Sequence, residues 1–168
     1  PNGYYNLIQS GSYSSQQDLL YKIYTSYQAK LKKHNMLDFD DLLMEAVRLL
    51  QYSEETRRYY QSRYRYIMVD EYQDTNPVQY ELIKLLSGKS MNTQSQVANV
   101  FTVGDDYQGI YGFRGSDLKI ILNFQQDFPE ARVIQLGQNY RSTKNIVAAG
   151  AGLMRHNPNQ MHKELFTD

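Results

Sequence analysis

An α/β fold built on a parallel sheet is what this sequence predicts, and three short apolar runs predict it. Tyr66-Ile67-Met68-Val69 is followed at once by Asp70-Glu71-Tyr72-Gln73-Asp74-Thr75. Val100-Phe101-Thr102-Val103 runs into Gly104-Asp105-Asp106-Tyr107-Gln108, and Arg132-Val133-Ile134-Gln135-Leu136 runs towards Gln138-Asn139-Tyr140-Arg141-Ser142. Continuous apolar runs read as parallel strands buried on both faces, and polar residues at their C-terminal ends read as the rim of a ligand crevice. Helical patterns between the runs complete the alternation of a parallel α/β core. Such a core suits nucleotides, yet the chain holds no phosphate-binding loop.

Taken in order, residues 1–13 are polar and rich in Gly, Ser and Asn, a loop or frayed end. Ser14 or Ser15 caps a predicted helix reaching about His34, with Leu19, Leu20, Ile23, Tyr24, Tyr27 and Leu31 along one face. Asp38-Phe39-Asp40-Asp41 starts a second helix whose stripe is Leu42, Leu43, Ala46, Val47 and Leu50; acidic residues in its first turn suit the helix dipole. A short third helix is expected around 54–63, before the first strand. Pro77 opens a fourth, through about Leu86, because proline lacks the N–H that a first helical turn leaves unbonded. Ser87–Asn99 reads as a polar surface loop. Ser116 is the expected cap of a helix carrying Leu118, Ile120, Ile121 and Phe124 and ended by Phe128-Pro129. Ser142 or Thr143 caps the last helix, with Ile146, Val147, Ala149 and Leu153.

Composition narrows the function. The 168 residues can form one domain or parts of two, and 41% hydrophobic residues suffice for a core. Eighteen Lys and Arg balance eighteen Asp and Glu, so any nucleic-acid contact must come from a local groove. The absence of Cys excludes disulfides, thiol nucleophiles and zinc-thiolate sites, and agrees with a cytoplasmic location. No apolar run approaches the roughly 20 residues that span a membrane, and no signal peptide is visible. The 16 Tyr residues fall largely at helical spacings and read first as packing surface. The start at Pro1-Asn2-Gly3, with the first Met at Met36, reads as excised from something longer.

One segment imitates a phosphate loop. Ser87-Gly88-Lys89-Ser90 ends like G-x-x-x-x-G-K-[ST], but the position of the first Gly is Ile83 and the segment follows a helix instead of a strand. It reads as a turn with Gly88 as the helix C-cap.

Chemistry concentrates at the strand ends. Asp70 and Glu71 would point to opposite sides of an ideal strand; where the chain turns, one can bind a metal while the other aligns a water. Gln108 is a neutral donor and acceptor able to sense a phosphate or a water. Tyr111 and Phe113 alternate with small residues beside Arg114. Those rings either stack on nucleic-acid bases, worth roughly 1–3 kcal/mol per base, or plug the sheet edge. Arg141 at a strand-to-helix turn is either a phosphate-contacting finger or an ordinary salt-bridging surface residue. His34, His156 and His162 show no metal-ligand spacing.

Together the Asp38–Leu43 segment, DEYQDT at 70–75, GDDYQGIYGFRGSD at 104–117 and LGQNYRST at 136–143 resemble the UvrD/Rep/PcrA-like family of superfamily 1 DNA helicases. The resemblance covers nearly the whole chain from about residue 15. It implies a RecA-like fold of the P-loop NTPase type with an N-terminal helical element. It implies ATP and Mg²⁺ as cofactors, with Asp70 on the metal, Glu71 as general base and Gln108 coupling the γ-phosphate to DNA. Tyr140 would stack on adenine and Arg141 would touch the γ-phosphate. Tyr111, Phe113 and Arg114 would meet single-stranded DNA or single/double-strand junctions; Phe113 stands where the family often has Trp. In the family, the Walker A loop normally precedes such a segment and a second γ-phosphate Arg follows it. The resemblance therefore divides the chain into the end of an inserted helical subdomain at 1–36, the latter part of a first motor domain at 37–118 and the start of a second at 119–168. A fragment of that kind is expected not to hydrolyse ATP alone, and to self-associate through exposed sheet edges. Two other readings stand beside the motor: a non-catalytic nucleic-acid-binding or regulatory relative without the phosphate loop, and a metal nuclease using Asp70, Glu71, Asp74, Asp105 and Asp106.

Overall fold

The computed structural model describes residues 15–88 and 99–168. The predicted opening loop, a cap at Ser14 and the Lys89-Ser90 half of the phosphate-loop imitation lie outside them. The described residues divide into two compact units between Arg48 and Leu49.

The first unit holds helix α1 (Ser15–Lys33) and most of helix α2 (Phe39–Tyr52). Three lysines in the last turn of α1 suit the negative end of its dipole. Asp38 starts α2 by a reciprocal arrangement: its Oδ1 accepts from the Asp41 N–H at 2.8 Å, and its own N–H donates to Asp41 Oδ2 at 3.3 Å. The Tyr27 hydroxyl adds a bond to Asp38 Oδ2 at 2.9 Å. The Asp41 backbone bond, then the tyrosine, hold the Asp38 carboxyl below its ordinary value. On α1 the face expected to pack is open, with Leu19, Leu20 and Ile23 exposed, whereas the α2 stripe is exposed at Leu42 but buried at Val47 and Leu50.

The second unit begins with the C-terminal turn of α2. Arg57, on helix α3 (Glu54–Arg63), is buried and donates to the Leu50 and Gln51 carbonyls at 2.7 and 3.2 Å. It thereby satisfies backbone acceptors that a helix end leaves unpaired. Ser53 caps α3 by accepting from the Thr56 N–H. Strand β1 (Tyr66–Val69) follows, then a 3-10 turn (Tyr72–Asp74) and helix α4 (Pro77–Ser87). Asn76 and Gln79 form a capping box ahead of Pro77, and Gly88 ends α4 at φ +79°, a left-handed conformation that favours glycine. Ser87, expected at the head of a surface loop, is a buried helical residue whose hydroxyl bonds Lys84 O. Gln61 reaches from α3 to the Leu85 carbonyl at 2.7 Å.

Strand β2 (Asn99–Thr102) pairs parallel with β1, with Ile67 opposite Val100 and Val69 opposite Thr102. The backbone ladder runs on past both strands, through Val103 N–H to Val69 O and Tyr72 N–H to Val103 O, each 2.9 Å. Both strands therefore deliver their following residues to one end of the sheet. The core on the covered face is Tyr72, Ile83, Ile120 and Ile121, with Val69, Val100, Leu118 and Phe124 packed against it. Tyr72 meets Phe124 edge-on at 5.5 Å. Burial, with the Asp127 charge second, pushes its hydroxyl up to about 12.

Three expectations need correction. The strands are not buried on both faces: Tyr66 and Met68 are 72% and 78% exposed, and Phe101 is 59% exposed. No described element covers that side of the sheet. Arg132–Leu136 forms no strand; Val133, Ile134 and Leu136 are exposed, and no described strand lies alongside to complete a ladder. The pairing falls slightly later, as a single parallel bridge between Gln138 and Phe166. Finally, Ser116 does not cap one long helix. Asp117 Oδ1 accepts from the Lys119 N–H, and the helix breaks at Asn123 into α5 (Lys119–Leu122) and α6 (Phe124–Asp127). Asparagine is a weak helix former whose side chain competes for the backbone. Helix α7 (Lys144–Met154) starts after Thr143, as expected, but without a side-chain cap bond from it.

Candidate active site and aromatic platform

The end of β1 is shaped by Glu71, which adopts φ +49°, ψ +45°. A left-handed backbone is uncommon outside glycine and clusters at functional sites. Its N–H donates to Asp70 Oδ1 at 2.9 Å, so the turn takes both carboxylates out of the opposed geometry of a strand. Both residues are exposed.

Gln73 then ties the two strand ends together. It is 2% exposed, donates through Nε2 to Glu71 Oε2 at 2.7 Å, and accepts through Oε1 from the Asp105 N–H at 2.9 Å. Gly104 is what allows this approach. A Cβ there would lie 2.8 Å from Ile121 Cδ1, 2.9 Å from Gln73 Oε1 and 3.2 Å from Tyr72 Cβ. Asp105 in turn accepts from the Gln108 side chain at 2.7 Å and from the Tyr107 N–H at 3.1 Å. Glu71 and Gln108, 37 positions apart in sequence, thus share one hydrogen-bonded network through Gln73 and Asp105.

Asp105 and Asp106 both receive Lys163, the second at 2.6 Å; its ammonium also stands 3.7 Å from the centroid of the Tyr107 ring. Burial opposes the Asp105 charge, but the Lys163 and Gln108 hydrogen bonds and the lysine charge outweigh it, holding the carboxyl below its ordinary value. The sequence reading missed both Gln73 and Lys163. Neither gave a local signal.

Beyond Gln108, Tyr111, Phe113 and Arg114 form one exposed cluster. The rings lie 5.9 Å apart, and the guanidinium sits 5.3 and 5.5 Å from their centroids. Phe113 is 79% exposed, so the rings do not plug the sheet edge. Gly115, at φ +87°, closes the turn behind them.

Tyr140 and Arg141 belong to a different neighbourhood. Asn139 Oδ1 accepts from the N–H groups of Arg141 and Ser142, and the Tyr140 hydroxyl donates to Gln138. Tyr140 is 85% exposed, and no carboxylate among the described residues pairs with Arg141. No described hydrogen bond or ion pair joins either residue to Asp70, Glu71 or Gln108. His34, His156 and His162 are exposed.

Against known families, residues 5–129 match the UvrD/REP helicase N-terminal domain. The chain belongs to the UvrD/REP helicase family. It is 48% identical over 145 residues to the ATP-dependent DNA helicase PcrA of Staphylococcus epidermidis, covering 86% of this chain. The corresponding protein of Staphylococcus aureus is 46% identical over 145 residues. That of Leuconostoc citreum is 42% identical over 152 residues, or 90% of this chain. The chain spans 19% of the length of each of these relatives. As a UvrD/REP domain it is mainly helical around a small parallel sheet, and no helix among its described residues is long and apolar enough to cross a membrane. The Asp70–Thr75 and Gly104–Asp117 segments lie inside the matched family domain.

Residues that can hold a metal are few. Among the described residues, no three His, Cys, Asp or Glu side chains gather around one point. Magnesium in phosphate sites needs no such cage, being held by one or two carboxylates with water and phosphate completing the shell. Asp70, exposed at the strand end, fits that requirement.

Proposed function

We propose that this chain is part of an ATP-driven DNA helicase or translocase of RecA-like fold. In this reading hydrolysis is centred on the β1–β2 rim and single-stranded DNA is met by the following loop. The observation that carries it is the buried Gln73 amide joining the two strand ends. It places a carboxylate suited to general-base work and a glutamine suited to phosphate sensing on one frame, the glutamine three to six positions before the exposed cluster of Tyr111, Phe113 and Arg114.

Roles follow from the chemistry. Asp70 holds Mg²⁺, which when bound neutralises phosphate charge. Glu71 accepts the proton of the attacking water, with Gln73 aiming its carboxylate. Gln108 contacts the γ-phosphate, and its movement is passed to the adjoining DNA loop. Arg141 stabilises charge on the transferring phosphoryl group and Tyr140 stacks on the adenine. Tyr111 and Phe113 offer π-faces to successive bases, and Arg114 adds cation–π and phosphate contact.

The same reading assigns 1–36 to an inserted helical subdomain, 37–118 to a first motor domain and 119–168 to the start of a second. It places the protein in the cytoplasm, in DNA repair, acting on single strands or their junctions with duplex. The 168 residues alone do not turn over ATP, since no phosphate loop lies among them, and their open sheet favours self-association. The pairing of Glu71 with a dedicated buried donor favours this over a non-hydrolysing regulatory relative, which has no use for an aimed base. It also disfavours a nuclease, because Asp105 and Asp106 are occupied by Lys163.

The platform gives a direct test. In the whole protein, Phe113→Ala raises the Kd for fluorescent oligo(dT) by about 5–150-fold, the equivalent of losing one stacked base, while duplex affinity stays within about twofold. An unchanged oligo(dT) Kd in Phe113→Ala and in Tyr111→Ala would remove DNA from this loop.

A further inference from the structure

The acidic pair after β2 is closed by a residue 58 positions away. Lys163 Nζ donates to Asp105 Oδ1 and to Asp106 Oδ1, the latter at 2.6 Å. The other oxygen of Asp106 accepts from the Met161 N–H at 2.7 Å. The Asp106 side chain is 3% exposed and that of Lys163 is 16% exposed. A lysine this enclosed must have its charge answered, because desolvation of an unpaired ammonium is costly.

The segment bearing Lys163 is itself fixed. Phe166 N–H donates to Gly137 O at 3.0 Å, and Asn139 N–H donates to Phe166 O at 2.7 Å. Gly137 is required there, since a Cβ would stand 2.5 Å from the Glu164 carbonyl. Lys163 therefore joins the stretch that carries Tyr140 and Arg141 to the stretch that carries Glu71 and Gln108. On the far side of Asp105 the path divides. Its carboxylate holds the Gln108 amide, and its N–H holds Gln73, which holds Glu71.

We propose that Lys163 is a positioning residue for ATP hydrolysis: by clamping Asp105 it fixes Gln108 directly and Glu71 through Gln73, and so links the two halves of the nucleotide site. This rests on the motor reading above. Polar networks of this kind act as units, and a loosened outer member is felt at the inner one.

The test uses the whole protein and two readouts. Lys163→Met is expected to lower kcat for single-stranded-DNA-stimulated ATP hydrolysis by about 10–100-fold, with KM for ATP within about twofold. Hydrogen exchange at residues 103–108 rises with it, because the Asp105 and Asp106 carboxylates lose the ammonium that anchors this loop. Lys163→Arg, which keeps the charge and can reach both carboxylates, restores kcat to within about threefold of the parent. Asp106→Asn keeps an acceptor for Lys163 and leaves Asp105 untouched; it lowers Tm without lowering kcat by more than about twofold. If Lys163→Met does not fold, Asp105→Asn spares the Asp106 pair and shows the same kcat loss.

Parent-like kcat and parent-like exchange in the folded Lys163 or Asp105 variant overturn the proposal. So does a kcat loss that tracks Tm equally in Asp106→Asn, which would make the contact structural only. Absence of DNA-stimulated turnover in the parent protein would instead sink the motor reading, and the exchange data would still show whether Lys163 holds the Asp105 loop.

Discussion

Replacing Glu71 by Gln in the whole protein lowers single-stranded-DNA-stimulated ATP turnover by about 10²–10⁴-fold, the range for loss of a positioned general base. The substitution keeps size and shape, so the left-handed turn at φ +49° and its bond to Asp70 survive. What disappears is the ability to take a proton. ATP affinity and oligo(dT) affinity are therefore expected to stay within about twofold of the parent. Single-turnover hydrolysis with equilibrium nucleotide binding measures both. Turnover within tenfold of the parent would show that Glu71 is not the base, and would return Asp70-Glu71 to an ordinary exposed acidic pair.

Gln73→Leu carries the second large effect, and it acts on stability and rate together. The amide is 2% exposed and is the acceptor for the Asp105 N–H as well as the donor to Glu71. Leucine approximates the volume but supplies neither group. One part-buried backbone N–H is then left without its partner, at a cost of about 1–3 kcal/mol. Relief through local movement is limited, because Gly104, Ile121 and Tyr72 already crowd the same point. Thermal unfolding is expected to shift down accordingly, with kcat reduced about 10–100-fold as Glu71 loses its orientation. Normal kcat in a protein destabilised by that amount would separate the frame from the chemistry.

Elements whose cause is local were legible in the sequence. Pro77 at the head of α4, Asp38 before α2, and the 54–63 helix all stand where propensity and helix-start signals put them. The two apolar runs that pair with each other appear as β1 and β2. Arg132–Leu136 has the same apolar character yet makes no strand, because a strand is defined by its neighbour as much as by its residues. The break at Asn123 could be suspected from composition but not placed.

The candidate site divides along the same line. Asp70, Glu71 and Gln108 could be chosen because they follow strands, whereas whether the Phe113 ring is open to solvent needed the fold. Lys163 could not be found, since nothing within several residues of it signals a partner 58 positions earlier. Gln73 could not be singled out either, since its bridging role depends on Gly104 arriving from another strand.

ATP turnover by the whole protein, measured with Mg²⁺ as single-stranded DNA is titrated, separates a DNA-driven motor from the other readings. Turnover is expected to rise with DNA and saturate, with the DNA recovered uncut. Turnover indifferent to DNA, or DNA cleaved with Mg²⁺ in the absence of ATP, would contradict the motor reading.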